Sequence, residues 1–241
     1  MSNKLKTSVG DFVKEDIRIG PIFRRYDIDF CCNGGVSLES ACQEKGINPE
    51  SLLLEIKNLE KSHGGSRDYN ALKLSELINT ILNDHHNYVK NTIPEISALA
   101  NKVEEVHSAE YPNLSQIQYL WAEVANELLD HLVKEELALF PYILSLENAE
   151  FNNQKPEIPP FKSLVHPIAM MEGEHEFAGG TFAKISELSD RFTPPKDACG
   201  SYTLLFHLLS EFEQNLHTHV HLENNILFPK AIELEKRLFS I

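Results

Sequence analysis

The sequence predicts an all-α protein, in which a small helical N-terminal domain precedes an up-down four-helix bundle. Apolar residues recur at helical spacing over four long stretches, and no convincing strand pattern occurs between them. Hydrophobic residues make up 42% of the 241 residues, which is enough to form a real core.

The first 63 residues contain only short predicted helices. These helices cover residues 9–16, 38–44 and 49–61. The sequence Asn33-Gly34-Gly35 predicts a turn, and Ser37 is a suitable cap for the helix that follows it. Apolar patterning stops between His63 and Asp68, which is typical of a linker. We therefore expect a small domain at residues 1–63, a linker at residues 64–70 and the bundle at residues 71–241.

Four longer helices are predicted after the linker. They cover about residues 74–96, 114–146, 161–190 and 196–225. The breaks between them contain proline or asparagine, at Tyr111-Pro112-Asn113, residues 148–160 and Thr193-Pro194-Pro195. A short tail helix is expected after Pro229. Long helices with modest connections are typical of an antiparallel bundle.

Composition and charge exclude several functional classes. The formal net charge of −14 argues against a nucleic-acid-binding surface. No apolar stretch approaches the roughly 20 residues that span a bilayer, and residues 1–6 lack the apolar core of a signal peptide. No nucleophile triad or phosphate-binding loop is recognisable. We expect a cytoplasmic protein with no nucleic-acid or membrane partner.

Acidic residues and histidines are concentrated in the predicted bundle. Residues 64–241 hold 26 of the 36 acidic residues, and 10 of the 11 histidines lie at or after His85. Such a region is either a solvated acidic surface or a cation site, and the spacing of the residues has to decide between them.

One motif occurs twice in this region. The pattern His-x3-Glu-x3-Leu-Phe-Pro begins at His131 and again at His219, 88 residues later. Residues four apart share a helix face, so each histidine can bind a cation together with Glu135 or Glu223. A single His-x3-Glu is usually a surface or core polar pair, but its repetition in matched surroundings favours a divalent-metal site.

The symmetry extends to one further histidine in each half. His86 precedes His131 by 45 residues, and His175 precedes His219 by 44 residues. Four histidines and two carboxylates are a natural ligand set for two metals, because bridging carboxylates offset the repulsion between two nearby cations. Nitrogen and oxygen ligation without cysteine favours iron, with manganese or zinc as substitutes.

The sequence also resembles a known family over nearly the whole chain. The resemblance rests on residues 26–32, 102–107, 134–136, 171–175 and 222–229. These segments are similar to the Repair of Iron Centers family of di-iron proteins, the ScdA/YtfE type. The resemblance implies a cysteine-bearing N-terminal domain and a hemerythrin-like four-helix bundle. It also implies two non-haem irons with carboxylate and oxo bridges, held by His86, His131, Glu135, His175, His219 and Glu223.

The remaining histidines are assigned less directly. Periodicity alone places His85 nearer than His86 to the centre of the apolar stripe, whereas the matched spacing and the resemblance favour His86 as the ligand. His85 would then pack beside the ligands or support them. We expect either a supporting role around the ligands or a surface position for four further residues: His107, Glu174, His217 and His221. His166 and His207 carry no usable pattern.

The spacing of the four cysteines does not indicate a disulfide framework, so reduced thiols are expected. Cys31 and Cys32 precede a glycine-rich turn and a helix start, where backbone N–H groups and the helix dipole are expected to lower a thiol pKa. Such a pair could be two small buried hydrophobes, but the resemblance implies a functional, catalytic pair. The family motif usually continues with glycine, and Asn33 tolerates the left-handed backbone of that turn. Cys42 and Cys199 are expected in the core.

The resemblance implies repair of iron–sulfur clusters damaged by oxidative or nitrosative stress. The implied chemistry is iron release to a damaged cluster or reduction of nitric oxide, with the thiols supplying electrons, accepting iron or contacting a client. A hemerythrin-like module that binds or senses oxygen or nitric oxide without turnover is the alternative, and a metal-free structural bundle is a third hypothesis. Expected partners are damaged iron–sulfur proteins, nitric oxide or oxygen, and a second copy in a homodimer.

Overall fold

The computed structural model describes residues 2–32, 34–61 and 68–239, and these residues form helices and turns without a β-strand. The predicted all-α class is therefore confirmed. Asn33 and most of the predicted linker lie outside the described residues. None of the described helices is both long and apolar enough to cross a membrane.

The described residues of the N-terminal part form five short α-helices and a 3-10 turn at Ile17–Ile19. The α-helices are α1 (Ser2–Leu5), α2 (Val9–Glu15), α3 (Gly20–Arg25), α4 (Leu38–Lys45) and α5 (Pro49–Lys61). Ser37 caps α4 as predicted, because its hydroxyl accepts a hydrogen bond from the Ser40 N–H at 3.2 Å. The sequence did not indicate α1 and α3, since helices of four and six residues show less than two turns of periodicity.

Within residues 68–239, four helical rods form the bundle, and three of them contain one π-helical turn. The first rod joins α6 (Leu74–Thr80), the turn Ile81–His86 and α7 (Asn87–His107). The second joins α8 (Asn113–Lys134), the turn Glu135–Leu139 and α9 (Phe140–Phe151). The third is α10 (Val165–Leu188). The fourth joins α11 (Gly200–Leu222), the turn Glu223–Leu227 and α12 (Phe228–Phe239).

The rods differ from the predicted helices mainly at their ends. The first continues beyond residue 96 to His107, and the second extends beyond residue 146 to Phe151. The fourth starts at Gly200 and continues past Pro229 instead of breaking before it. Proline is tolerated there because it occupies the first turn of α12, directly after the π-turn, where an N–H donor is not required.

The apolar core is divided into two clusters. The larger contains a buried aromatic group in which Trp121 packs edge-on against Phe212 at 5.1 Å, and Phe182 stacks on Phe212 at 5.6 Å. The smaller contains Phe140 and Phe228. The second and fourth rods pass from one cluster to the other at the two His-x3-Glu motifs, so those polar residues lie between two apolar layers.

The N-terminal part packs against the fourth rod. The ring of Phe30 lies edge-on to His217 and His221 at centroid distances of 5.9 and 5.8 Å. Nearby, Arg24 Nη1 lies 3.9 Å from the carboxylate of Glu213, which is 8% exposed. This contact places a buried carboxylate under the N-terminal part.

Glu213 is expected to make stability depend on pH. Burial raises the pKa of Glu213 to about 7, opposed by Arg24 and reinforced by Asp27. Because the folded state holds the proton more tightly than the unfolded state, the free energy of unfolding falls as the pH rises from about 4.5 to about 7. We therefore compare the free energy of unfolding of Glu213→Gln with that of the parent. We expect this difference to favour the variant by about 1–2 kcal/mol more at pH 8 than at pH 5.

The measurement is urea unfolding of both proteins at the two pH values. Glu211→Gln is the matched control, since Glu211 is an exposed carboxylate on the same helix. A stability difference between Glu213→Gln and the parent that does not change with pH would contradict the assignment.

Candidate metal centre

The three π-turns carry three of the predicted ligands. His86 is the last residue of the first turn, and Glu135 and Glu223 are the first residues of the other two. A π-turn holds one more residue than an α-helical turn and re-aims the neighbouring side chains, which is why such turns are frequent at functional sites. Each turn here lies at the boundary between the two apolar clusters.

The structure brings all six predicted ligands together. One group contains His86, Glu135, His219 and Glu223, and the other contains His131, Glu135, His175 and Glu223. Within each group the candidate ligand atoms lie within 4.8 Å of one another. All six side chains belong to residues that are at most 1% exposed. The two carboxylates are common to both groups, so the arrangement offers two neighbouring positions with shared anions.

The imidazoles face one another in pairs through their Nε2 atoms. His86 Nε2 lies 3.2 Å from His219 Nε2, and His131 Nε2 lies 3.0 Å from His175 Nε2. The members of each pair come from different rods and lie within one ligand group. Such convergence is typical of nitrogen atoms that share one cation.

The carboxylates fit the same interpretation. Glu223 Oε1 lies 3.0 Å from His219 Nε2, and Glu223 Oε2 lies 3.2 Å from His175 Nε2. Among the described residues, both oxygens of Glu135 and Oε2 of Glu223 are buried without a hydrogen-bond partner. A buried acceptor without a partner costs about 1–3 kcal/mol, more if it is charged. Shared cations would satisfy these atoms, so the residues fit a metal centre.

Three of the four histidines have an Nδ1 partner that fixes the ring. His86 Nδ1 lies 2.8 Å from Glu136, and His131 Nδ1 lies 2.8 Å from Glu174. The third pair is His175 with Asn224, also at 2.8 Å. Holding Nδ1 in this way leaves Nε2 free to face the cation.

Sequence reasoning named Glu174 as a candidate for either a supporting or a surface role, and it missed Glu136 and Asn224. Each missed residue directly follows a ligand carboxylate in a π-turn and contacts a histidine of another rod. Their position immediately after Glu135 and Glu223 gave no signal in the sequence, because consecutive helical residues ordinarily point in different directions.

The supporting carboxylates are expected to tune metal affinity. Lys90 and Lys134 hold Glu136 and Glu174 by charge-assisted hydrogen bonds of 2.6 and 2.5 Å. We expect Glu136→Gln and Glu174→Gln each to weaken metal binding about 10–100-fold while leaving the six ligands in place.

A competitive titration against a chromophoric chelator measures this change. Glu172→Gln is the control, because Glu172 is exposed on the same helix as Glu174. Unchanged affinity in both supporting variants would mean that the imidazoles are positioned by packing alone.

Comparison with known proteins agrees with this geometry. Residues 77–231 match the hemerythrin HHE cation binding domain, and residues 5–60 match ScdA_N, a domain of unknown function. A Haemophilus influenzae protein named a probable iron–sulfur cluster repair protein is 35% identical over 88% of this chain and 90% of its own.

Two further relatives cover the chain to a similar extent. The Staphylococcus haemolyticus iron–sulfur cluster repair protein ScdA is 32% identical over 87% of this chain and 90% of its own length. The Pectobacterium atrosepticum iron–sulfur cluster repair protein YtfE is 31% identical over 95% and 97%. The chain belongs to the ScdA/YtfE family. Its bundle is a cation-binding domain of the hemerythrin type, and the resemblance stated from the sequence is confirmed.

Two histidines of the candidate ligand cluster of this ScdA/YtfE chain have raised pKa values when no cation is bound. Burial disfavours the charged form of His86, but contacts with Glu135 and Glu223 outweigh burial and raise its pKa to about 10. The pKa of His131 rises to about 9 for the same reasons, whereas burial lowers that of His219. The raised pKa values of His86 and His131 favour their protonated forms beside the two carboxylates when no cation is bound.

The other histidines are placed differently from several expectations. His85 is buried, stacks on His219 at 5.6 Å and contacts Asn215, which fits a packing role. The expectation that His217 and His221 could lie at the surface is wrong for His221, which is fully buried beneath Phe30. The N-terminal part covers this face of the fourth rod, which helical periodicity within the bundle could not show.

His107 does not support the ligands. Its Nε2 lies 3.2 Å from the Sγ of Cys199 at the N-terminus of α11, where α7 ends. Cys199 is exposed, so the prediction that it belongs to the core is wrong, whereas Cys42 is buried as predicted. The apolar character of cysteine favoured the prediction of a core position. In the structure, Cys199 is the N-cap residue of α11.

The adjacent cysteines of this ScdA/YtfE chain lie beside the fourth rod. Cys31 is buried and Cys32 is partly exposed, with 3.8 Å between their sulfur atoms. The expected lowering of the thiol pKa is wrong for Cys31, whose pKa is raised by the neighbouring thiol of Cys32, by burial and by Asp29. The backbone N–H groups of both cysteines donate to the Asp29 carboxylate, so they do not stabilise a thiolate.

Proposed function

We propose that this chain repairs iron–sulfur clusters damaged by oxidative or nitrosative stress, using two iron ions held between the four rods. The observation that carries the proposal is the pair of buried carboxylates shared by two sets of histidines. The relatives named iron–sulfur cluster repair proteins support the same function. The proposed ligands are His86, His131, Glu135, His175, His219 and Glu223.

The donor set is suited to ferrous and ferric iron. Four imidazoles and two carboxylates combine ligands that suit iron, and the carboxylates supply the negative charge that lets two cations lie close together. Iron bound there, with carboxylate and oxo bridges, would supply one-electron redox chemistry and an exchangeable metal ion.

The residues of the chain have separate tasks in this function. Glu135 and Glu223 hold both positions together, while Glu136, Glu174 and Asn224 orient three imidazoles. The two apolar clusters keep bulk water away from the ligands. The chain either releases iron to a damaged cluster or reduces nitric oxide, and we assign a functional role in this chemistry to Cys31 and Cys32.

The wider setting follows from the same proposal. We place the cysteine-bearing domain at residues 1–63, the linker at residues 64–70 and the bundle at residues 71–241. The partners are damaged iron–sulfur proteins in the cytoplasm, nitric oxide or oxygen as small ligands, and a second copy of the chain in a homodimer.

The test combines metal analysis with a repair assay. We expect anaerobically purified protein to hold about two irons per chain and to restore activity to a client enzyme with a damaged cluster. His131→Ala should lose both properties, whereas His207→Ala, an exposed histidine, should keep them. Iron binding with reversible oxygen binding and no repair would instead favour the oxygen- or nitric-oxide-binding module. No iron after reconstitution would favour the structural bundle.

A further inference from the structure

A second group of metal-binding side chains lies outside the bundle. Asp29, Cys31 and Cys32 place one carboxylate oxygen and two sulfur atoms within 4.8 Å of one another. Asp29 Oδ1 lies 3.3 Å from the Cys31 sulfur, and it accepts hydrogen bonds from the Cys31 and Cys32 N–H groups at 2.9 and 3.1 Å. The backbone therefore fixes the carboxylate beside both thiols.

The donor types of this group differ from those of the bundle. Two thiols and a carboxylate prefer a softer divalent ion, such as zinc or ferrous iron, over magnesium or calcium. Neighbouring cysteines do not easily form a normal disulfide, because a bridge requires a larger Cα separation and a specific dihedral angle. The pair therefore stays available as two separate sulfur ligands.

The group lies close to the bundle ligands. Asn225 Nδ2 donates to the Cys31 carbonyl at 3.3 Å, and Asn225 is two residues after Glu223 in the same π-turn. The Cys32 sulfur lies 3.8 Å from the position that a Cβ atom on Gly179 would take. Gly179 is one helical turn after His175, about 6 Å along the axis. Asn225 and Gly179, which contact Cys31 and Cys32, therefore each lie within one helical turn of a candidate bundle ligand.

The group is also open to solvent on one side. Cys31 is buried, Cys32 is partly exposed and Asp29 is exposed. The bundle ligands, in contrast, are all buried. An ion at this group would stand between a closed centre and the outside of the protein, where another molecule could reach it.

We propose that Asp29, Cys31 and Cys32 form a separate site for a single ferrous ion, which receives iron from the bundle and presents it to an acceptor. This inference rests on the proposed function. Binding converts Fe²⁺ and two thiols into an ion with two thiolate ligands and releases two protons, and the Asp29 carboxylate is the third ligand. No electron is transferred, and the fourth position is taken by water or by a thiolate of the acceptor.

Cobalt(II) is a suitable probe of this site in the full chain. The bundle is first loaded with iron, the thiols are kept reduced, and Co²⁺ is titrated anaerobically. Thiolate-to-cobalt charge transfer gives near-ultraviolet absorbance that histidine and carboxylate ligands cannot produce. We expect this absorbance to saturate at roughly one equivalent, as a single site with two sulfur ligands requires.

Variants connect the absorbance to the three residues. Cys31→Ser with Cys32→Ser should abolish it, and Asp29→Asn should weaken cobalt binding at least about tenfold, because it removes a charged ligand. Cys199→Ser is the matched control: Cys199 is exposed and lies next to a histidine, so it tests adventitious thiol binding. The control should keep the full absorbance.

The outcomes separate this inference from the proposed function. No thiolate absorbance in a chain that holds its bundle iron would overturn the second site and leave the proposed function intact. Absorbance that disappears only in Cys199→Ser would also overturn it. Thiolate absorbance in a chain whose bundle binds no iron would support the cation site itself and contradict the proposed function on which the transfer depends.

Discussion

Replacing Glu135 and Glu223 together with glutamine is expected to reduce bound iron from about two ions to well below two per chain. These are the only carboxylates common to both ligand groups among the described residues. Glutamine has nearly the same shape, so the packing around the site is kept while two negative charges are lost. Two divalent ions would then lie close together in a buried site without bridging anions, where their repulsion is weakly screened.

Metal analysis after anaerobic reconstitution measures this loss, and circular dichroism confirms that the variant is helical. The control replaces two exposed carboxylates of the second and third rods, Glu123→Gln with Glu176→Gln, and should keep its iron. Full iron retention in the folded Glu135→Gln/Glu223→Gln variant would refute the ligand assignment.

Metal affinity is also expected to rise steeply with pH. In the metal-free protein the pKa values of His86 and His131 are about 10 and about 9, so both imidazoles are protonated between pH 6 and 8. A bound imidazole must be neutral, and the pKa values of Glu135 and Glu223 are already lowered by the histidines. Loading the centre therefore releases about two protons, and the overall binding constant should increase about 100-fold per pH unit.

Calorimetric titration with Zn²⁺, in buffers of different ionisation enthalpy, counts the released protons. The Cys31→Ser/Cys32→Ser variant is used so that thiol protons do not contribute. His207→Ala in that background should release the same number, since His207 is exposed beside Glu211. Release near zero would mean that the metal-free cluster is not held together by protonated imidazoles.

The clustering of the six candidate ligands could be predicted because a sequence repeat marks their positions. The two His-x3-Glu motifs and the matched positions of His86 and His175 depend only on helical spacing, which the bundle keeps. The cap of α4 could also be predicted, since the Ser37 hydroxyl accepts a hydrogen bond from the N–H of Ser40, only three residues away. Local rules of this kind need no knowledge of the tertiary structure.

The remaining features depend on contacts between distant segments. The π-turns have no distinct composition, so Glu136 and Asn224 gave no sign of reaching histidines on other rods. The buried ring of His221 packs against Phe30, which is almost 200 residues away in the sequence. The contact between His107 and Cys199 likewise joins the ends of two separate helices.

The π-turn Glu223–Leu227 gives three consecutive residues three different attachments. Glu223 contacts two ligand histidines, Asn224 holds the ring of His175, and Asn225 binds the carbonyl of Cys31. No flexible joint separates these residues, because the turn continues directly into helices on both sides. Glu223, the support of His175 and the anchor of the Cys31 carbonyl therefore share one helical turn, which fixes the spacing between the candidate metal centre and the two cysteines.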